Sequence, residues 1–296
     1  MDGYRISDNL GSEEDSDFSI NFSPFFNESI KYPALIYDGP FSDATVDRTV
    51  KGLKGEDIDK DDAENIVRDI FGERITSLNF IDETAGTFET YDFGVNTQDR
   101  NYYIQVAKKG GFIICISSNA SNYGLGDDEN VTAESIDDID KNEKAISLAL
   151  EFAESLNITD MTCVWSASSQ DICYVNLAPK QDDCILYPDL IKAKVDLNIM
   201  QVVGWEASSY ALNHVEREDL IPQLSLEEAK KLVSSNLSIN NERLCVIPLD
   251  FIGETLAYEF SGVHNGYHYY LYIDAYTGSQ VRVLRVIQTD QGELVL

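Results

Sequence analysis

The feature that most constrains the fold is an internal repeat. Three helical patterns, DKDDAENIVRDIFG, KNEKAISLALEFAESLN and SLEEAKKLVSSNL, each carry an early alanine: Ala63, Ala145 and Ala229. Three residues further on stand Ile66, Leu148 and Leu232, and four further on stand Val67, Ala149 and Val233. Apolar residues at i, i+3 and i+4 form one stripe on an α-helix. A tyrosine in a strand-like run follows each helix, Tyr91, Tyr174 and Tyr258, at spacings of 28, 29 and 29 residues from the alanine. The step from alanine to alanine is 82 and then 84 residues. That period is too long for a solenoid and suits tandem small domains.

Each repeat continues into a hairpin-like segment, YYIQVAKKGGFIICI in the first and YYLYIDAYTGSQVRVL in the third. Ile104 and Val106 match Leu271 and Ile273, and Gly111 matches Gly278. In the middle repeat Val195 is the match, 21 residues after Tyr174 where the other two repeats have 15. The six extra residues fall around Leu186-Tyr187-Pro188-Asp189. Each unit therefore reads as one amphipathic helix covering one face of about four antiparallel strands, an α+β fold. A unit this small buries little surface alone, so the three are expected to pack together or on the N-terminal segment. Asp61 or Ser225 is placed to cap its helix.

The boundaries follow from composition. Residues 1–55 hold an acidic extension and an apolar segment, YPALIYDGPF at 32–41, that reads as docked and extended. Unit 1 spans 56–126, unit 2 spans 138–218, and unit 3 spans 219–296. An acidic linker from Asp127 to Glu143, eight acids against one lysine, separates the first two. A break near His214 to Ser225, with Pro222 inside it, separates the last two.

Charge excludes some functions. Fifty-two acids against 22 Lys and Arg give a net charge of −30. Such a chain repels phosphate backbones and anionic membrane surfaces, so no nucleic-acid partner is expected. No apolar run approaches the ~18 residues that span a bilayer. Five cysteines, none at C-x-x-C spacing, read as reduced, mostly buried small hydrophobes rather than as zinc ligands or a disulfide framework.

No catalytic residue, metal site or cofactor is selected. His264 and His268 are four apart, but Gly266 puts them in a turn rather than on a helix. Asp57, Asp59 and Asp61 match the first positions of a calcium loop, which then fails at Asp62 and Arg68. There is no GxSxG, Walker loop or GxGxxG. The one candidate binding surface is Tyr270 and Tyr272, which share a strand face with His268 and Asp274 if side chains alternate. The matching outward positions are Tyr103, Gln105 and Ala107 in unit 1, and Lys192, Lys194 and Asp196 in unit 2. The tyrosine pair either packs between repeats or docks a protein, since tyrosine is enriched at interfaces.

Several strings carry a family resemblance: YPALIYDGPFSDA at 32–44, ILYPDLIKAKVDL at 185–197, VVGWEASSYALNH at 202–214, RLCVIPL at 243–249, LAYEF at 256–260 and YLYIDAYTG at 270–278. With these the chain resembles the YpeB germination proteins of spore-forming bacteria, whose C-terminal part carries tandem PepSY domains. The resemblance implies three PepSY-like units. It also implies an N-terminal membrane segment and helical region absent from this chain, with Met1 a truncation start. It further implies a partner, a SleB-type spore cortex-lytic hydrolase, at the outer face of the inner spore membrane and the cortex. The family brings no catalytic residues. The leading expectation is a non-enzymatic module that binds, stabilises or regulates that hydrolase. The alternatives are a propeptide-like protease inhibitor and a peptidoglycan-processing enzyme.

Overall fold

The computed structural model describes residues 39–41, 49–119, 136–169, 171–249, 253–289 and 292–295. The expected extension at 1–20, most of the docked segment and the linker before residue 136 lie outside the described residues. Helix α1, Lys60–Phe71, begins at Asp59, whose carboxylate accepts hydrogen bonds from Asp61 N and Asp62 N at 2.9 Å each. The cap is therefore Asp59 and not Asp61, which instead lies in the first turn, where its charge suits the helix dipole. Ala63, Val67 and Phe71 are buried on one face, and Gly72, at φ 55°, ends the helix. Helix α2, Ile136–Ser155, buries Ala145, Ala149 and Ala153. Small residues four apart let it lie close to the strands beneath.

The third helix is shorter than its sequence pattern predicts. Helix α4 covers only Leu226–Lys230, opened by a reciprocal capping box between Ser225 and Glu228. Ser234 Oγ then accepts from Asn236 N at 3.3 Å, one of the local bonds by which Ser and Asn compete with a helix. Leu232, expected on the apolar stripe, is 52 % exposed in consequence, while Ala229 and Val233 stay in the core.

Four antiparallel strands follow α1: β1 Ser77–Ala85, β2 Glu89–Asn96, β3 Asn101–Ala107 and β4 Ile113–Asn119. After α2 come β5 Met161–Ser169, β6 Ile172–Gln181, β7 Cys184–Leu186, β8 Ile191–Asp196 and β9 Gln201–Glu206, with a 3-10 turn at Tyr187–Asp189 between β7 and β8. A short α3, Ser208–Asn213, leads through a loop to α4. The chain then runs through β10 Ser238–Pro248, β11 Glu254–His264, β12 Tyr267–Asp274, β13 Gln280–Thr289 and β14 Gly292–Val295. All of these strands join one sheet in the order β1-β2-β3-β4-β9-β8-β6-β7-β10-β11-β12-β13-β14, with β5 on β6. The protein is thus mixed α/β and mostly one large sheet.

Helices α1 and α2 cover the same face of the first eight-strand portion, over a core that includes Phe93, Ile104, Val175, Ile191 and Trp205. The C-terminal strands bury a second core around Ala229, Phe260 and Ile273. A third cluster, on the other face, joins Val164, Ile185 and Tyr187 to Cys245, Ile247 and Tyr272. The two portions of sheet meet at β7. This strand is three residues long, antiparallel to β6 and parallel to β10. The six extra residues of the middle repeat are therefore the junction.

Two expectations about facing are corrected. Val106 pairs with Tyr91 and Ile273 with Tyr258, but Val195 pairs with Cys173. The residue equivalent to Tyr91 is thus Cys173, which is fully buried, and Tyr174 points the opposite way, its ring 5.5 Å from Lys194 Nζ. A one-residue slip exchanges faces. Ala107 and Asp196 are fully buried rather than exposed. The register shifts at Gln105/Val106 and Lys194/Val195 insert Ile114 on β4 and Val203 on β9, so β3 and β8 keep their own alternation. Ala107 is covered by Ile114 and Ala211, and Asp196 is buried in its pairing with Arg100.

Candidate functional site

The junction concentrates buried polar chemistry. Glu259, in the middle of β11, has no exposed surface. Its Oε2 accepts from the hydroxyls of Tyr187 at 2.6 Å and Tyr272 at 2.8 Å, and its Oε1 accepts from Arg243 Nε at 2.6 Å. Burial, and then the charge of Glu259, push both tyrosine hydroxyls well above their ordinary value. They therefore remain donors. Arg243 also lies over the Tyr187 ring, 5.9 Å from its centroid. Phe41 closes the cluster, 5.2 Å from the Tyr187 ring and 5.0 Å from the Tyr272 ring, with Arg282 above it at 5.6 Å. Gly39 makes that approach possible: a Cβ there would lie 2.8 Å from Trp165 Cγ, and its φ is +86°.

A second cluster lies beside it. Asp189, also without exposed surface, accepts from Arg217 through both oxygens, at 2.7 and 2.8 Å. His214 Nδ1 lies 2.9 Å from the same carboxylate. Arg217 also bonds Glu254 through Nε and Nη2, at 2.8 and 2.9 Å, so it ties the YPD turn to the start of β11. Burial works against the Arg217 charge, and the bonds to Asp189 and Glu254 outweigh it, which raises its pKa. A third buried carboxylate, Asp196, pairs with Arg100 and links β8 to the turn before β3.

Asp92 is the exception, a buried acid held by neutral donors. The hydroxyls of Thr84, Thr90 and Tyr103 donate to it at 2.8, 2.7 and 2.6 Å. Burial pushes its carboxyl up, but these bonds outweigh that and hold it below the ordinary 3.8. A depressed folded-state value contributes stability above the unfolded value, and that contribution is lost as pH falls through the folded value. Asp92→Asn should therefore flatten the fall in stability on acidification below about pH 4, measured as Tm against pH. A variant whose Tm falls as steeply as that of the parent would show that other groups carry the acid limb.

A groove between α1 and α2 has a volume of about 1040 Å³, with Lys54 and Arg74 as well as Asp69 and Glu151 along it. Ile66 and Ile70 form one wall and Leu148 and Phe152 the other, with Phe112 and Tyr210 among the further apolar residues lining it. Gly110 and Gly111 border it as bare backbone, and a Cβ on Gly111 would lie 2.4 Å from Ile66 Cδ1.

The candidate tyrosines are placed as follows. Tyr272 is fully buried inside the Glu259 cluster, and Tyr270 is half-buried and packs against the same apolar cluster. The face expected to be outward is thus covered there. Asp57, Asp59 and Asp61 are exposed, with Asp59 serving as a helix cap. His264 Nδ1 bonds the Asn236 carbonyl at 3.0 Å, and His268 is exposed. All five cysteines are free thiols, three of them buried. Among the described residues no three His, Cys, Asp or Glu side chains gather as a metal site would need.

Sequence reasoning did not single out Glu259, Arg243, Arg217 or Asp189. A usable signal was present for the first: Glu259 stands inside the otherwise apolar string LAYEF. An acid in a strand buried on both faces needs partners.

Residues 19–220 match the model of the family described as YpeB sporulation, PepSY1 and PepSY2 domains. Residues 223–284 match that described as peptidase propeptide and YPEB domain. The sporulation protein YpeB of Halalkalibacterium halodurans is 25 % identical over 246 residues, covering 81 % of this chain and 51 % of that one. Its Bacillus subtilis counterpart is 24 % identical over 234 residues, covering 78 % and 50 %. The chain spans about half the length of these curated relatives. The solved C-terminal domain of Bacillus megaterium YpeB superposes with a TM-score of 0.64 at 22 % identity, over 78 % of this chain and 99 % of that one. That likeness supports the fold.

Proposed function

Because the chain belongs to the YpeB sporulation protein family, we propose that it is a non-enzymatic binding module of spore germination. In this reading, residues 56–126, 138–218 and 219–296 are three PepSY-like repeats, each a helix with its strands, behind an N-terminal stretch at 1–55. Ala63, Ala145 and Ala229, all fully buried beneath their helices, support that division. The partner is a SleB-type cortex-lytic hydrolase, which the module binds and stabilises. In the full-length family protein it works at the outer face of the inner spore membrane and the cortex.

The observation that carries this reading is where the acids are committed. Among the described residues Asp189, Asp196 and Glu259, the carboxylates with no exposed surface, are each held by an arginine. A general acid needs a pKa near the working pH. Among the described residues the carboxylates whose titration is displaced, Asp92, Glu228 and Asp274, are displaced downward. These acids thus serve structure, and the groove between α1 and α2, with apolar side chains on both walls, offers a surface for binding.

The test is co-purification of the 296-residue chain with the cortex-lytic hydrolase of the same organism, alongside a muropeptide-release assay on the chain alone. Retention of the hydrolase without muropeptide release is the expected result. Release by the chain alone, retention of a protease instead, or no retention of the hydrolase would each overturn the reading.

A further inference from the structure

We propose that β13, the fourth strand of the third repeat, pairs antiparallel with β13 of a second copy of this chain, about a two-fold axis at Val283. This goes beyond the binding-module reading and does not depend on it. The first two repeats supply the geometry. Their fourth strands, β4 and β9, pair antiparallel as Cys115↔Glu206, Ile116↔Trp205 and Ser117↔Gly204. Register against the preceding strand identifies equivalent positions. Ile113, Val202 and Gln280 pair with Val106, Val195 and Ile273, the residues matched in the repeat. Each fourth strand then inserts one residue, Ile114, Val203 or Val281. Further on, Ile116, Trp205 and Val283 pair with Ile104, Ala193 and Leu271. Ile116 and Trp205 are therefore one position of two repeats, and they face each other. Cys115 shares a position with Gly204, and Ser117 with Glu206. The seam thus has the self-complementary pattern of a two-fold interface, built inside one chain.

The third repeat presents the same surface uncovered. Val283 is 42 % exposed, where Ile116 and Trp205 are 4 % and 2 % exposed. Leu232 is an independent sign. Its counterparts Ile66 and Leu148 stand on the two walls of the groove above the seam, whereas Leu232 is 52 % exposed. Among the described residues β14 is the strand beyond β13, and it pairs with Val286–Thr289. The three pairs of the internal seam, repeated about Val283, would join Arg282 to Leu284 and stop short of Val286. The backbone phase also suits. Ala207 N donates to the Ile114 carbonyl at 2.9 Å, so by alternation Ile116 and Trp205 are a hydrogen-bonded pair, and Val283 would exchange both bonds with its copy. Gln280–Thr289 carries two arginines and no acid, so the contact itself brings no carboxylates together. The net charge of −30 opposes approach at long range, and salt screens it, so association should strengthen with salt.

Sedimentation equilibrium of the full chain at about 0.1 and about 0.5 M NaCl, up to about 1 mM protein, follows the association. Hydrogen exchange of the unaltered chain at low and high concentration locates it. The expected result is a monomer–dimer equilibrium that strengthens with salt, with protection of the Val283 amide rising with concentration. Val283→Lys sets two like charges across the axis and should weaken the dimer more than about tenfold. Ile199→Lys makes the same change at an exposed apolar residue between β8 and β9, and should alter it less than about twofold. The proposal is overturned if the chain stays monomeric throughout, or if dimers form without concentration-dependent protection at Val283. It is also overturned if Val283→Lys dimerises as the parent does, or if Ile199→Lys weakens the dimer equally. Should Val283→Lys fail to fold, the exchange measurement on the unaltered chain decides alone.

Discussion

Glu259→Ala should lower the unfolding free energy by about 3–5 kcal/mol, read as a fall in denaturant midpoint at unchanged slope. The change removes one side chain but leaves three donors without their acceptor. The Tyr187 and Tyr272 hydroxyls are buried, and Arg243 is four-fifths covered. A buried donor left unsatisfied costs ~1–3 kcal/mol, and a buried ion pair broken on one side costs more than the pair contributes when whole. Glu259→Gln keeps the shape and one acceptor, so it should cost less. Tyr272→Phe should cost about 1 kcal/mol, because Glu259 still accepts from Tyr187 and Arg243. Equal losses in all three variants would mean that the shape of the cluster matters and its hydrogen bonds do not.

The positions of α1 and α2 and the start of α4 were legible because they depend on local periodicity. The stripe of α1 and the buried alanines of α2 follow directly from it. Where something outside the repeat pattern intervened, periodicity misled: the serines and asparagine after Val233 cut α4 short, and contacts from other elements buried Ala107 and Asp196. Spacing assigns faces, not what covers them. The family likeness could be read from strings such as ILYPDL, but what those strings do could not. Tyr187 and Asp189 find their partners 72 and 28 residues away, and nothing in the sequence distinguishes Glu259 from the other acids of so acidic a chain except its apolar neighbours. The groove is the least legible feature. It is a gap between two helices whose separation is set by the sheet beneath them, a property of β4 pairing with β9.

Tyr187→Ala should do more than destabilise: it should separate the unfolding of the two portions of sheet. Truncating a buried aromatic side chain costs ~3–5 kcal/mol, and Tyr187 is 1 % exposed. The location of that loss decides its consequence. The portions are joined by β7, three residues long, by the apolar cluster on Tyr187 and Tyr272, and by the bonds of Asp189 and Glu259. Tyr187 touches two of these three links. Weakening the junction while leaving both flanking cores intact removes the coupling that makes them unfold together. The two tryptophans give a direct readout, because Trp165 on β5 and Trp205 on β9 both lie in the first portion. Tryptophan fluorescence therefore follows that portion alone, whereas far-UV circular dichroism follows every strand. In the unchanged chain the two denaturation curves should coincide. In Tyr187→Ala the dichroism should begin to fall at lower denaturant than the fluorescence, as β10 to β14 open first. Coincident curves in the variant would mean that β7 and the surrounding backbone pairing suffice to couple the sheet, and that the YPD turn serves only to fill space.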